Sequence, residues 1–242
     1  MSIIGLGDSL MQDNFFDTFP QTGWFQMLKL FTAENVNLKN FAKNGCSTKS
    51  FIDQNRFSTA LKQIQKRDIV LISFGHNDEK KEDPERYCSA TGAYQDNLRY
   101  MIHCIKRKNA IPILLTSVPR CRYNPEGKLE RTHAEYPSSM RQVAKDEKVY
   151  LIDLNEILAQ YANRVGSNKY RENFLIYPPN KYENYPRGIT DTTHLNCDGA
   201  FRIAKEVVKQ LSLIEDPNIY LCFRHNQKIQ INNRLKLDRI KS

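Results

Sequence analysis

The chain has 242 residues and a mass of 28.2 kDa, enough for one large domain or two small ones. Hydrophobic residues make up 40% and charged residues 26%, with only ten Gly and ten Pro, so disordered and collagen-like chains are excluded. Thirty-six Lys and Arg against 27 Asp and Glu give a net charge of +9, which favours anionic partners.

No apolar run approaches the roughly 20 residues that span a bilayer, and the N-terminus lacks a basic segment followed by a long apolar one. We therefore expect a cytoplasmic protein with no membrane partner. Six cysteines lie far apart, at spacings that match no zinc site: Cys46, Cys88, Cys104, Cys121, Cys197 and Cys222. We expect reduced thiols, mostly in the core, and no metal.

Five short apolar runs predict buried β-strands that recur at the spacing of strand–helix units. They cover residues 3–6, 36–41, 69–74, 111–116 and 149–152. Helical periodicity is clearest in a stripe from Tyr94 to Ile105, and a second apolar stripe runs from Phe201 to Leu211. This alternation predicts an α/β fold in which helices cover both faces of one parallel sheet.

No linker rich in Pro, Gly or Ser divides the chain, so residues 1–214 are predicted to form one domain. Residues 215–242 are interpreted as a C-terminal appendage, because Asp216-Pro217 ends the last helix. Within the appendage, the sequence pattern predicts a hairpin formed by residues 219–223 and 228–232. Residues 165–190 show no clear period, which predicts a long loop that is either functional or partly mobile.

Polar motifs follow the predicted strands and recur near the end of the chain. Ser9 comes directly after the first strand, Gly45 after the second, Asn77 after the third, and Asp191 stands three residues before His194. Each motif alone is typical of a turn or a helix cap. Together, on loops expected at one edge of one sheet, they supply a nucleophile, oxyanion donors, a base and a carboxylate that orients it.

These motifs resemble the four blocks of the SGNH (GDSL) hydrolases, in order and approximate spacing. The blocks are Gly7-Asp8-Ser9-Leu10, Gly45, Gly75-His76-Asn77-Asp78 and Asp191-Thr192-Thr193-His194. Phe74 before the third block, the string 116–120, and Leu195-Asn196 after the fourth are most similar to the rhamnogalacturonan acetylesterase branch. The resemblance implies a flavodoxin-like three-layer sandwich with a five-stranded parallel sheet.

The resemblance also implies roles for the motif residues. Ser9 is the expected nucleophile, His194 the general base and Asp191 its orienting carboxylate. The backbone N–H groups of Ser9 and Gly45 and the side-chain amide of Asn77 form the expected oxyanion hole, and no metal or organic cofactor is needed.

Substrate contacts are predicted at four further residues: His76, Arg120, Tyr185 and Arg187. His76 has either a structural or a substrate-contacting role. Tyr185, with Tyr177 and Tyr182, either stacks on sugar rings or pins down its own loop. Part of the excess charge lies on loops expected at the serine edge, and this suggests a uronate-containing sugar: Arg120, Arg122, Lys128, Arg131 and Arg187.

The function these features favour is a serine esterase that removes small acyl groups, most simply acetyl, from a small-molecule or oligosaccharide ester. A lipase or thioesterase acting on longer acyl chains fits the same motifs. A nucleic-acid-binding protein is suggested only by the basic charge, since the sequence has no basic helix with interleaved aromatics and no recognisable RNA-binding motif.

Overall fold

The computed structural model describes residues 1–223. Its centre is a sheet of five parallel strands in the order β2-β1-β3-β4-β5. The strands are β1 (Ser2–Gly7), β2 (Asn37–Asn40), β3 (Ile69–Ser73), β4 (Ile111–Leu115) and β5 (Tyr150–Ile152). All five lie within the predicted apolar runs or extend them by one residue, so the predicted parallel sheet is confirmed.

Helices cover both faces of this sheet: α1 (Thr48–Asp53), α2 (Arg56–Gln63), α3 (Ala93–Arg107), α4 (Tyr136–Asp146), α5 (Leu154–Arg171) and α6 (Cys197–Leu211). Successive strand residues point to opposite faces. Ile3 therefore packs with α5 and α6 in one core, whereas Ile4 packs with α1 to α4 in the other. The three-layer α/β architecture is thus confirmed.

The two predicted amphipathic stripes form the buried faces of helices. Tyr94 and Ile105 lie at opposite ends of the buried face of α3, and Ile203 and Leu211 belong to that of α6. Each helix turns its charged residues to solvent, as the 3.6-residue period requires.

Residues 165–190 do not form one long loop. Helix α5 continues to Arg171, and β6 (Phe174–Tyr177) pairs antiparallel with β7 (Ile189–Leu195) in a second, two-stranded sheet. Gly166 has a φ of 80°, which interrupts the helical repeat inside α5. Strand β7 is mostly polar and only partly buried, so the hydrophobic alternation that reveals a strand is absent from it.

The predicted C-terminal hairpin is wrong in its first strand. Pro217–Tyr220 form a short helix, α7, whose first turn is capped by the Asp216 side chain accepting a hydrogen bond from the backbone of Asn218 at 2.8 Å. Ile219 and Phe223 are buried in the same core as α6, so this segment packs into the domain. The second predicted strand, 228–232, lies outside the described residues.

All six cysteines are free thiols, and only Cys197 is not fully buried. Within residues 1–223, the longest apolar helical stretches fall short of what a membrane-crossing helix requires.

Gly199, in the first turn of α6, lies against the backbone of Asn173, the residue just before β6. A Cβ there would collide with the backbone carbonyl oxygen of Asn173, which cannot move without displacing β6. We expect Gly199→Ala to lower the free energy of unfolding by roughly 1–3 kcal/mol through overpacking. Denaturant melts of the two proteins check this, and an unchanged midpoint would contradict the close packing.

Candidate active site

Ser9 stands on a tight turn at the carboxyl edge of β1. The backbone carbonyl of Asp8 accepts hydrogen bonds from the N–H groups of Met11 and Gln12, at 3.2 and 3.0 Å. The Asp8 carboxylate accepts a third from the Leu10 N–H at 3.0 Å. These bonds hold the turn, and Ser9 is 7% exposed at its surface.

Asp191 and His194 lie within strand β7 rather than on the expected loop. Leu175 pairs with Asp191, but the preceding Phe174 pairs with Leu195, so residues 192–194 form a bulge in the ladder. The Asp191 carboxylate accepts hydrogen bonds from the backbone N–H groups of Thr193 and His194, at 2.8 and 3.0 Å. Bulges re-aim side chains, and this one turns His194 back towards Asp191.

One hydrogen-bond chain links the three residues. His194 Nε2 lies 2.9 Å from Ser9 Oγ, and His194 Nδ1 lies 2.7 Å from Asp191 Oδ2. Burial acts to raise the pKa of Asp191, but its hydrogen bonds with His194 and Thr193 outweigh burial and lower that pKa to about 2. An ionised carboxylate keeps the proton on Nδ1, so Nε2 is free to accept the serine proton.

The turn that carries Ser9 and the bulge that carries His194 are connected through Gln21 and Thr22. The Thr22 backbone N–H donates to the Leu195 carbonyl at 3.0 Å, and Gln21 forms a β-bridge with Asn196. The chain that leaves Ser9 therefore returns to the strand that carries His194.

The predicted oxyanion donors come together on the neighbouring loops. Asn77 Nδ2 donates to the Cys46 carbonyl at 3.0 Å, and Arg86 Nη1 donates to Asn77 Oδ1 at 3.4 Å, which fixes the orientation of the amide. The second amide hydrogen remains available. Gly45 has a φ of 78°, a left-handed conformation that favours glycine. Within residues 1–223, the N–H groups of Ser9 and Gly45 donate to no protein acceptor.

Asp78 joins the Asn77 loop to the helix that follows Gly45. Its buried Oδ1 accepts hydrogen bonds from the backbone N–H of Thr48 at 2.8 Å and from the Thr48 hydroxyl. Burial raises the pKa of Asp78 to about 7 despite these bonds. Asp78 thus ties the Asn77 loop to the first turn of α1.

His76 lies beneath the serine turn, 5% exposed, with Nδ1 3.5 Å from Asp8 Oδ2. Its ring makes an edge contact with that of His133, 4.3 Å between centroids. Burial and the neighbouring His133 lower the pKa of His76 to about 4, so the imidazole is neutral at neutral pH.

Arg120 is engaged in an ion pair with Glu79 in the same buried cluster. Glu79 also contacts His133 Nδ1 at 3.1 Å, while His133 Nε2 faces the Val118 carbonyl at 3.0 Å. His76 and Arg120 therefore contact other side chains, and their predicted contact with substrate stays a prediction. Sequence reasoning missed Glu79 and His133, because they are 54 residues apart and only folding pairs them.

Tyr185 and Arg187 lie on the loop before β7. The Tyr185 hydroxyl donates to the Thr18 carbonyl at 3.2 Å, and burial, followed by the charge of Asp191, raises the pKa of this tyrosine. Arg187 is exposed and borders a surface hollow of about 480 Å³ with Tyr177. The Tyr182 ring packs edge-on against Phe19 and Tyr177, which pins the loop.

Within residues 1–223, no three His, Cys, Asp or Glu side chains lie close enough together to bind a metal ion. His103 Nε2 lies 2.7 Å from Glu147, the residue that follows α4.

The three-layer fold and the Ser–His–Asp arrangement are those of a serine ester hydrolase. The GDSL-like lipase/acylhydrolase family model matches residues 6–199, and the chain belongs to that family. It is 34% identical over 203 residues to the rhamnogalacturonan acetylesterase RhgT of Bacillus subtilis, covering 84% of this chain and 86% of that protein. The probable rhamnogalacturonan acetylesterase YesY of the same organism is also 34% identical, over 84% of this chain and 88% of YesY.

Among solved structures, the crystal structure of the YxiM protein of Bacillus subtilis superposes with a TM-score of 0.72 at 26% identity. The match covers 88% of this chain but 56% of that one. The predicted family and branch are confirmed by these similarities.

The raised pKa of Asp78 predicts that the free energy of unfolding depends on pH. The unfolded carboxyl ionises near 3.8, whereas the buried one holds its proton to about 7, so folding stability falls as pH rises between these values. Asp78→Asn removes this loss and keeps the acceptor for Thr48. As the pH rises from 4 to 8, we expect the free energy of unfolding of the variant to increase by roughly 2–4 kcal/mol relative to that of the parent. Denaturant melts across this range measure it. The exposed Asp17→Asn is the matched control, and an equal gain there would contradict the assignment.

Proposed function

We propose that this chain removes acetyl groups from a carbohydrate through an acyl-serine intermediate. The observation that carries the proposal is the unbroken hydrogen-bond chain Ser9–His194–Asp191, at 2.9 and 2.7 Å. Relatives named rhamnogalacturonan acetylesterases, at 34% identity over most of the chain, support a sugar ester as the substrate.

In the first half of the reaction, Ser9 Oγ attacks the ester carbonyl while His194 Nε2 takes the serine proton. Asp191 holds the proton on Nδ1 and stabilises the imidazolium that forms. His194 then returns the proton to the departing sugar hydroxyl as the C–O bond breaks, which leaves the acyl group on Ser9.

The negative charge that develops on the carbonyl oxygen needs donors that are already in place. The N–H groups of Ser9 and Gly45 and the free amide hydrogen of Asn77 meet that need, because the hydrogen bonds to Cys46 and Arg86 prevent the amide from turning. Each such donor typically contributes about 10²–10³-fold to turnover.

In the second half, His194 removes a proton from water, which attacks the acyl-Ser9 carbonyl. The tetrahedral species collapses, the C–O bond to Ser9 breaks, and the serine oxygen takes the proton back from His194. Acetate leaves and the starting state returns without any cofactor.

An acidic sugar is the proposed substrate. Of the five cations expected near the serine, Arg120 pairs with Glu79 and Arg131 with Glu156 at 3.4 Å, so neither guanidinium is free. Arg187 is exposed just before β7 and has no carboxylate partner within residues 1–223. With Tyr185 beside it, Arg187 is suited to bind a uronate carboxylate. We infer that His76, in contact with Asp8 of the serine turn, and Arg120, paired with Glu79, act as positioning residues.

Ser9→Ala tests the nucleophile. We expect hydrolysis of p-nitrophenyl acetate to fall by roughly 10⁴-fold, because no other group can form the acyl intermediate. Ser58→Ala, on the exposed face of α2, is the matched control and should retain full activity. Substantial turnover by the Ser9 variant would overturn the assignment.

A panel of esters tests the acyl group and the sugar. We expect p-nitrophenyl acetate to be hydrolysed faster than butyrate or octanoate, and acetylated pectic oligosaccharides faster than acetylated xylan fragments. The family also includes lipases, so a preference for octanoate would favour the longer-chain alternative. Equal rates on acidic and neutral sugars would remove the uronate from the proposal.

A further inference from the structure

A basic groove runs between α5 and α6, on the face of the sheet opposite α1 to α4. Its volume is about 640 Å³, within the usual range of ligand sites. We call it the α5–α6 groove and define it by six of its lining residues: Ile157, Tyr161, Arg164, Arg202, Lys205 and Lys209.

The cations come from facing sides of the two helices. Arg202, Lys205 and Lys209 follow one another at i, i+3 and i+7 on α6, and Arg164 faces them from α5. Glu206 is the one carboxylate among the lining residues, and it pairs with Lys209 at 3.3 Å. Four cations and one anion make the groove electropositive, which favours an anionic ligand.

Both guanidinium groups of the groove lie over the Tyr161 ring. Arg202 Cζ lies 4.9 Å from the centroid of the Tyr161 ring, and Arg202 Nε donates to Asn173 Oδ1 at 2.9 Å. Arg164 Cζ lies 5.8 Å from the same centroid. Within residues 1–223, no carboxylate forms an ion pair with Arg164, Arg202 or Lys205. Stacked guanidinium groups that keep free N–H donors are suited to carboxylates.

We propose that the α5–α6 groove binds the acidic polysaccharide chain whose acetyl groups are removed at Ser9, an inference that rests on the proposed function. Helix α6 begins three residues after His194, so the groove lies on the element that leads directly away from the active site. A polymer held there raises the local concentration of its own esters at Ser9.

The positive charge of the α5–α6 groove favours an anionic ligand. Residues 224–242 carry six Lys and Arg against one Asp, so this segment of the chain does not complement it. A uronate polymer does complement the groove, since it repeats a carboxylate along its length.

The test compares two variants that each lose two positive charges. Arg164→Gln/Arg202→Gln changes the groove, and Lys62→Gln/Lys66→Gln changes the opposite face of the protein, where both lysines are exposed. De-esterified polygalacturonate serves as the probe, because it carries carboxylates but no acetyl group to hydrolyse. Calorimetry or affinity electrophoresis measures its binding to each full-length protein.

We expect the groove variant to bind polygalacturonate at least roughly tenfold more weakly, and the control variant to bind like the parent. On acetylated pectic polymer the groove variant should show a raised KM with kcat unchanged. Hydrolysis of p-nitrophenyl acetate should be the same in all three proteins, which also shows that they fold. Arg164→Lys/Arg202→Lys should restore part of the affinity, because it keeps the charge and loses the planar fork.

Unchanged binding by the groove variant, an equal loss in the control variant, or tighter binding of duplex DNA than of polygalacturonate would each overturn the inference. Failure of the proposed function has a different signature, since the parent protein would then bind the polymer but release no acetate from any sugar ester.

Discussion

The hydrogen bond between Ser9 and His194 joins residues 185 positions apart in the chain, and the candidate site depends on it. The parallel sheet places Ser9, because β1 pairs on both sides with β2 and β3. It does not place His194, which stands in a separate antiparallel pair of strands. The hydrogen bond from the Thr22 N–H to the Leu195 carbonyl, at 3.0 Å, connects the segment that follows Ser9 to the strand that carries His194.

Asn196 couples the site to the stability of the fold. Its side chain accepts a hydrogen bond from the Gly199 N–H at 2.9 Å, capping α6, and donates to the Phe174 carbonyl in β6 at 3.0 Å. The apolar face of α6 is buried, so the hydrophobic free energy that holds this helix on the sheet also holds β7 and its bulge in position. The cap of α6 therefore also helps to position His194.

Polar groups buried beneath the site have a similar role. Asp8 contacts His76, Asn77 contacts Cys46, and Asp78 contacts Thr48, so each loop at the carboxyl edge is tied to another. Burying these groups costs free energy that the hydrogen bonds largely offset. In return, the proposed nucleophile and oxyanion donors are held in position before substrate binds, which is what electrostatic catalysis requires.

The sequence by itself determined the five strands and the apolar faces of α3 and α6, and it singled out the residues of the candidate catalytic motifs. Strands buried on both faces, and helices with one buried face, leave apolar periods that a single chain displays. Strand β7 could not be predicted, because most of its residues are polar. The pairing of Glu79 with His133 could not be predicted either, because local sequence pattern carries no information on contacts between residues 54 positions apart. The α5–α6 groove was hidden too, since segments 133–164 and 191–214 are almost neutral in sum. Only packing decides which side chains of two helices face each other, and so where the charge of the protein is concentrated.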